Sequence, residues 1–137
     1  MTLKRLDDWP EKLAEFIHAR TEKVFEWGQN DCAIFAADGI HAITEIDVAA
    51  DLRGTYSTAS QAVDIVTARG GLEAIATSVL GEPMENKLMI QRGDVALVKI
   101  NGRESLTICI GSELAGPGVD FGVVLIPIMD AIKVWKV

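Results

Sequence analysis

Trp27-Gly28-Gln29-Asn30-Asp31-Cys32 runs straight into Ala33-Ile34-Phe35-Ala36-Ala37-Asp38-Gly39-Ile40-His41-Ala42-Ile43, and this junction decides the fold. Gly28 and Asn30 break any regular element. Asn30 or Asp31 can accept hydrogen bonds from the free backbone N–H groups of a helix start. The stretch therefore predicts a helix that opens at Cys32 and runs to Ile43. Cys32, Phe35, Ala36, Gly39, Ile40 and Ile43 share its packing face. Cys32, Ala36 and Gly39 are small, so another element can approach that face closely.

Working outward, Asp7 or Asp8 can cap an earlier helix, and Pro10 suits its first turn. Leu6, Trp9, Leu13, Phe16 and Ile17 fall on one side of that helix, and His18 projects almost opposite, to solvent. Downstream, residues 47–57 are irregular, with Arg53-Gly54-Thr55-Tyr56 as a turn. Ser57 or Thr58 caps a third helix over Ala59 to Ala68, stopped by Gly70-Gly71. A short fourth helix, Leu72 to Leu80, ends at Gly81-Glu82-Pro83.

The character then changes. Gly93 to Ile100 reads as a strand, Asn101-Gly102 as a hairpin turn, and Leu106 to Ile110 as a second strand rich in β-branched residues. Gly116-Pro117-Gly118 reads as a loop, Phe121 to Ile126 as a third strand, and Ile132 to Val137 as a fourth. Helices followed by a strand meander make the α+β pattern. The expected architecture is one domain over residues 1–137, with a helical part at about 6–82 and a sheet part at about 88–137. The helices should pack on a mainly antiparallel sheet of about four or more strands.

The chain has 137 residues, 49% of them hydrophobic and 24% charged, which suits one globular domain. A net charge of −7 disfavours a nucleic-acid partner and an anionic membrane surface. No apolar run approaches the ~18 residues of a membrane span, so no membrane insertion is expected. Met1-Thr2-Leu3-Lys4-Arg5 leads into an amphipathic helix where a signal peptide would need an apolar stretch. Synthesis in the cytoplasm is the expectation, with any export by another route. Cys32 and Cys109 lie far apart, and a disulfide is not expected in a reducing compartment. No CxxC or His-rich spacing suggests zinc, and no metal or cofactor is expected.

Cys32 is the focal point for chemistry. At a helix start it meets the positive end of the macrodipole and free N–H groups, which favour the thiolate and can hold an oxyanion. The competing reading is a small apolar side chain that packs the helix start. Asp31 reads most simply as a helix cap, and Asp94 as the residue that closes a turn before its strand. Asp120 and Asp130 read as loop acids. Trp27 and Trp135 read as core or rim packing, with Trp135 also a candidate interface anchor.

Taken together, these segments resemble a family. Trp27-Gly28-Gln29-Asn30-Asp31-Cys32 before an alanine-rich helix is similar to the nucleophile segment of NlpC-type, papain-like cysteine peptidases. Gly93-Asp94-Val95-Ala96-Leu97-Val98 resembles their Gly-Asp strand, and Thr107-Ile108-Cys109-Ile110-Gly111 the strand that follows. The similarity extends to a subgroup from tailed-phage and prophage genomes. That subgroup shares the Trp-Gly…Asp-Cys order, an Arg-Gly-x-Tyr segment, a Gly-Gly-Leu segment and a terminal Trp-x-Val. Here these read Arg53-Gly54-Thr55-Tyr56, Gly70-Gly71-Leu72 and Trp135-Lys136-Val137. The resemblance covers about residues 20–137 and implies a papain-like fold with Cys32 at the nucleophile position.

It also exposes a gap. Active members begin the second strand with a histidine, and here Ser105 or Leu106 stands in that place. A cysteine nucleophile needs a base that takes its proton or holds it as an ion pair, and a serine hydroxyl does neither. His41, nine residues beyond Cys32 on the same helix, lies roughly 13 Å along the axis on nearly the opposite side. His18 reaches the thiol only if the first helix turns its polar side to the site.

Three readings stay open. The first is a structural or assembly component of a phage tail, in the tail tip or baseplate region. There it uses a degenerate peptidase fold with a vestigial Cys32, contacts other tail-tip proteins, and is carried in the virion. The second is a working hydrolase that cuts peptidoglycan peptides with Cys32 as nucleophile. The third is a module that binds a cell-wall peptide or thioester without turning it over. The missing histidine weighs against catalysis.

Overall fold

Helix α2, Cys32–Thr44, begins where the sequence places it, and Asp31 is the residue that caps it. The Ile34 N–H donates to Asp31 Oδ1 at 3.0 Å. The computed structural model describes residues 3–137. In it α1 spans Trp9–Ala19, α3 Ala59–Ala68 and α4 Leu72–Leu80. Pro10 sits in the first turn of α1; Asp8 precedes that helix, but its side chain makes no cap bond. Thr58 caps α3 by accepting from Gln61 N.

Five strands follow: β1 Val95–Ile100, β2 Arg103–Cys109, β3 Glu113–Pro117, β4 Val123–Pro127 and β5 Lys133–Trp135. They form one antiparallel sheet in the order β4-β3-β2-β1-β5. The fold is therefore α+β, with four α-helices and a five-stranded antiparallel sheet among the described residues. Asn101 and Gly102 turn β1 into β2 with φ of 52° and 79°, the positive pair that a two-residue hairpin requires.

One element departs from the expectation. Gly116 and Pro117 belong to β3, where they face Val124 and Val123, and not to a loop. Glycine and proline are poor strand formers, and here pairing with β4 overrides their local preference. The third expected strand is accordingly the fourth in the chain, and it begins at Val123.

The pleat sorts the core into two layers. Val95 and Leu97 face the helices and pack with Phe16, Phe35, Ile40, Leu106, Ile108 and Trp135. Ala96 and Val98 face the other way, into a cluster with Cys109, Leu114, Ile126 and Val134. Cys32 borders the first layer and Cys109 lies in the second, and both are free thiols. Gly39 sets how close α2 comes. A Cβ built there would lie 2.7 Å from Ile108 Cδ1 and 3.2 Å from Phe16 Cε2.

Asp94, 1% exposed, does more than close a turn. It accepts from Arg5 at 3.0 Å, from Val137 N at 3.1 Å and from Gln91 N at 2.9 Å. Arg5 also donates to the Val137 and Arg92 carbonyls. One buried carboxylate thus ties both ends of the chain to the start of β1. Gly93 is part of the arrangement, because the Arg5 guanidinium lies where its Cβ would be.

The terminal strand corrects the expected interface at Trp135. That side chain is 0% exposed, and its indole N–H donates to Thr77 Oγ1 on α4 at 3.2 Å. The outer edge of β5 is not free either, since Met84 N–H donates to the Val134 carbonyl at 2.7 Å. Trp135 is the core residue that joins sheet to helix. Replacing it by alanine is expected to cost about 3–5 kcal/mol, the usual range for a buried large aromatic. Urea unfolding should show a lower midpoint with an unchanged slope. A cost under about 0.5 kcal/mol, typical of surface substitutions, would put Trp135 at the surface.

Candidate functional site around Cys32

The start of α2 is organised by Asp31, which is 2% exposed. Besides capping Ile34, it accepts from Gly28 N–H at 2.8 Å and from the Tyr56 hydroxyl in a short hydrogen bond. No cation pairs with it among the described residues. Gly28 has φ +82°, and a Cβ there would sit 2.2 Å from the Tyr56 carbonyl oxygen. The Trp-Gly and Arg-Gly-x-Tyr segments are therefore two halves of one contact. Burial, then the bond to Asp31, pushes the Tyr56 phenol well above its ordinary pKa, so it remains a donor.

The loop that carries Tyr56 is fastened to the helices by arginines. Arg53 donates to both Asp47 oxygens, at 2.8 and 3.1 Å, and to Asp38 at 2.5 Å. Asp38 also takes a short ion pair from Arg20. Arg20 donates to buried Asn30 at 2.7 Å and lies 5.0 Å over the Phe16 ring. These links bind α1, α2 and the loop over residues 47–57 into one frame.

The Cys32 thiol sits inside that frame. Its polar neighbours are the Ser105 hydroxyl, the backbone of Leu106 and Ala33, and the Asp31 carboxylate. Burial pushes the thiol pKa up, and the Asp31 charge pushes the same way. The Leu106, Ser105 and Ala33 groups act in the opposite sense but do not prevail. A helix start alone favours the thiolate by a fraction of a charge. Here desolvation and a full negative charge outweigh it.

Both residues expected at the histidine position act on the thiol, Ser105 through its hydroxyl and Leu106 through its backbone. The Leu106 side chain is in the core. His18 is exposed on α1 and His41 is exposed in the last turn of α2, and neither neighbours the thiol. Asp120 and Asp130 are exposed and lie away from it. Among the described residues no cluster of His, Cys, Asp or Glu is placed to hold a metal ion. No helix described is long and apolar enough to cross a membrane.

The Arg20–Asp38–Arg53–Asp47 chain escaped sequence reading. Its one available signal was arginine in a turn whose neighbours include an aspartate. The family model described as a domain of unknown function, DUF6950, matches residues 4–137. The chain belongs to that family. No match was found among curated proteins or among solved structures.

Cys32 should react slowly with iodoacetamide at neutral pH, more slowly than a free thiol of pKa ~8.5. Where side chain 105 reaches the thiol, Ser105→His sets an imidazole beside it. It should lower the Cys32 pKa by about one unit or more and raise the alkylation rate at pH 7 about tenfold. A folded Ser105→His protein with an unchanged titration curve would mean that side chain 105 does not face Cys32.

The loop anchor should show in acid. Hydrogen bonding from Arg53 holds the Asp47 carboxyl below its ordinary value of 3.8. A depressed carboxyl contributes stability above its unfolded pKa and loses it as pH falls through the folded one. Asp47→Asn should be less stable than wild type at pH 6 by under about 1 kcal/mol, as fits a partly exposed pair. That difference should shrink steadily once pH drops below 3.8, read from urea midpoints. A difference that persists at low pH would assign the effect to packing and not to charge.

Proposed function

We propose that this domain is an assembly component of a phage tail, in the tail-tip or baseplate region. In this reading it is built on a papain-like, NlpC-like scaffold in which Cys32 is vestigial. The order and spacing of the Trp-Gly…Asp-Cys, Arg-Gly-x-Tyr, Gly-Asp and Trp-x-Val segments support the scaffold. So does a helix that starts at a cysteine and packs on an antiparallel sheet. The observation that carries the reading is that no imidazole neighbours Cys32 among the described residues; the Ser105 hydroxyl and the Leu106 backbone are the groups that act on the thiol there. The group at the base position has no basic nitrogen, and the thiol is driven toward its neutral form. Without a base there is no activated nucleophile, and the domain acts through its surface.

The surface that fits this role is the β4 side. β4 ends the sheet, and its outer backbone edge makes no hydrogen bond among the described residues. Val24, Val119, Phe121 and Leu125 are exposed beside it, with Phe121 at 63%. Residues 117–129 carry a single charge, at Asp120. Pro127 closes one end of the edge, which leaves Val123 to Ile126 able to pair. The occupant is an extended apolar segment of a neighbouring tail protein, added as a further strand. A specific contact of this kind buries on the order of 1,200 Å² or more in total.

Phe121→Lys should leave folding intact by circular dichroism and by urea midpoint, within about 0.5 kcal/mol. The same protein should be left out of assembled particles. Cys32→Ser should assemble and support infection as wild type does. Normal assembly of Phe121→Lys, with infectivity lost in Cys32→Ser, would reject the scaffold in favour of the hydrolase.

A further inference from the structure

A partly open cavity of about 240 Å³ lies between α2, residues 48–52, α4 and the sheet at Val95 and Leu106. Its walls include Ala36, Ala37, Ile40, Ala76, Val95 and Leu106. The alanines are what leave the space open, because larger side chains at those positions would fill it. Protein interiors hold few voids larger than a water molecule, and the lining of an empty one forgoes contacts on its open side. Space of this size, at roughly 30 Å³ per water-sized group, takes about eight such groups. That is below the range of drug-sized pockets and suits a ligand about as large as one amino acid.

The mouth differs from the walls. Asp51, Arg69 and Ser78 line it. The two charged residues are exposed and sit on different elements. Asp51 lies in the loop that Arg53 fastens to Asp38 and Asp47. Arg69 ends α3, just before the Gly70-Gly71 turn with φ of 92° and 106°. Neither Asp51 nor Arg69 forms an ion pair among the described residues, with the other or with any third group. An acceptor of one sign and a donor of the other thus stand over an apolar floor.

From this arrangement we infer that the cavity binds a small zwitterion with an aliphatic body, an aliphatic α-amino acid. The side chain enters between the alanines, the ammonium meets Asp51, and the carboxylate meets Arg69. The site does not use the Cys32 thiol, so it stands apart from the assembly reading.

Calorimetric titration with L-leucine, 4-methylpentanoate and 3-methylbutylamine tests this, since the three share one branched alkyl body. Leucine should bind at millimolar concentration and raise the melting temperature. The acid lacks the ammonium and the amine lacks the carboxylate, so each should bind about tenfold more weakly or worse. Arg69→Gln should abolish the preference for leucine over the amine, and Asp51→Asn the preference over the acid. Ala76→Leu should fill the cavity and abolish binding in a folded protein. Equal binding of all three compounds, no binding of leucine, or full leucine affinity in Arg69→Gln would overturn the assignment. The Arg69 substitution is at the surface, so it decides the matter even where Ala76→Leu fails to fold.

Discussion

A carboxylate buried without a cation must be met by every donor within reach, and Asp31 imposes that requirement on the whole helical half. Burying an unsatisfied charge costs several kcal/mol or more. Its donors are Ile34 N–H, Gly28 N–H and the Tyr56 hydroxyl. Each fixes a different piece of chain. The first starts α2, the second turns the backbone at a glycine, and the third brings the 47–57 loop across the helix start. With the start of α2 pinned, Gly39 can meet Ile108, and the helix seats on the sheet. Asp94 plays the corresponding part for the sheet, with Arg5 and the Val137 N–H as its donors.

Much of this was legible in the residues. The starts of α2, α3 and α4 follow from Asp31, Thr58 and the Gly70-Gly71 turn, all of which are local signals. The β1–β2 hairpin follows from Asn101-Gly102 in the same way. What local signals miss is what tertiary partners decide. β3 contains glycine and proline and becomes a strand because β2 and β4 flank it. Trp135 stands near the chain end, where an apolar run reads as an exposed edge. Its burial depends on Thr77 and on Met84, both more than 45 residues earlier. The alanines of α2 read as close packing, and some of them line a cavity instead.

The site was half legible. Cys32 at the first position of α2 follows from the cap, and Ser105 or Leu106 as its neighbour came from the family resemblance alone. The state of the thiol was open to two readings, since a helix dipole supplies roughly half a unit charge that favours the thiolate while no histidine stands ready to hold it. What the sequence did not show is the part played by Asp31. The same residue that caps the helix carries a full negative charge next to the sulfur, and its burial removes the water that would screen it. The device that makes the helix start strong therefore works against the thiolate.

Asp31 apart, the contacts that hold the fold are separate from the groups that set the state of the thiol. The contacts that set the fold run through Gly28, Asp31, Gly39, Asp94 and Trp135. Residue 105 is not among them; it is partly exposed in β2, opposite Val98 of β1. An imidazolium there would set a full positive charge against the Asp31 carboxylate and restore the balance toward thiolate. A serine hydroxyl supplies only a weak dipole. The sign of the field at Cys32 thus turns on one side chain that the scaffold does not need.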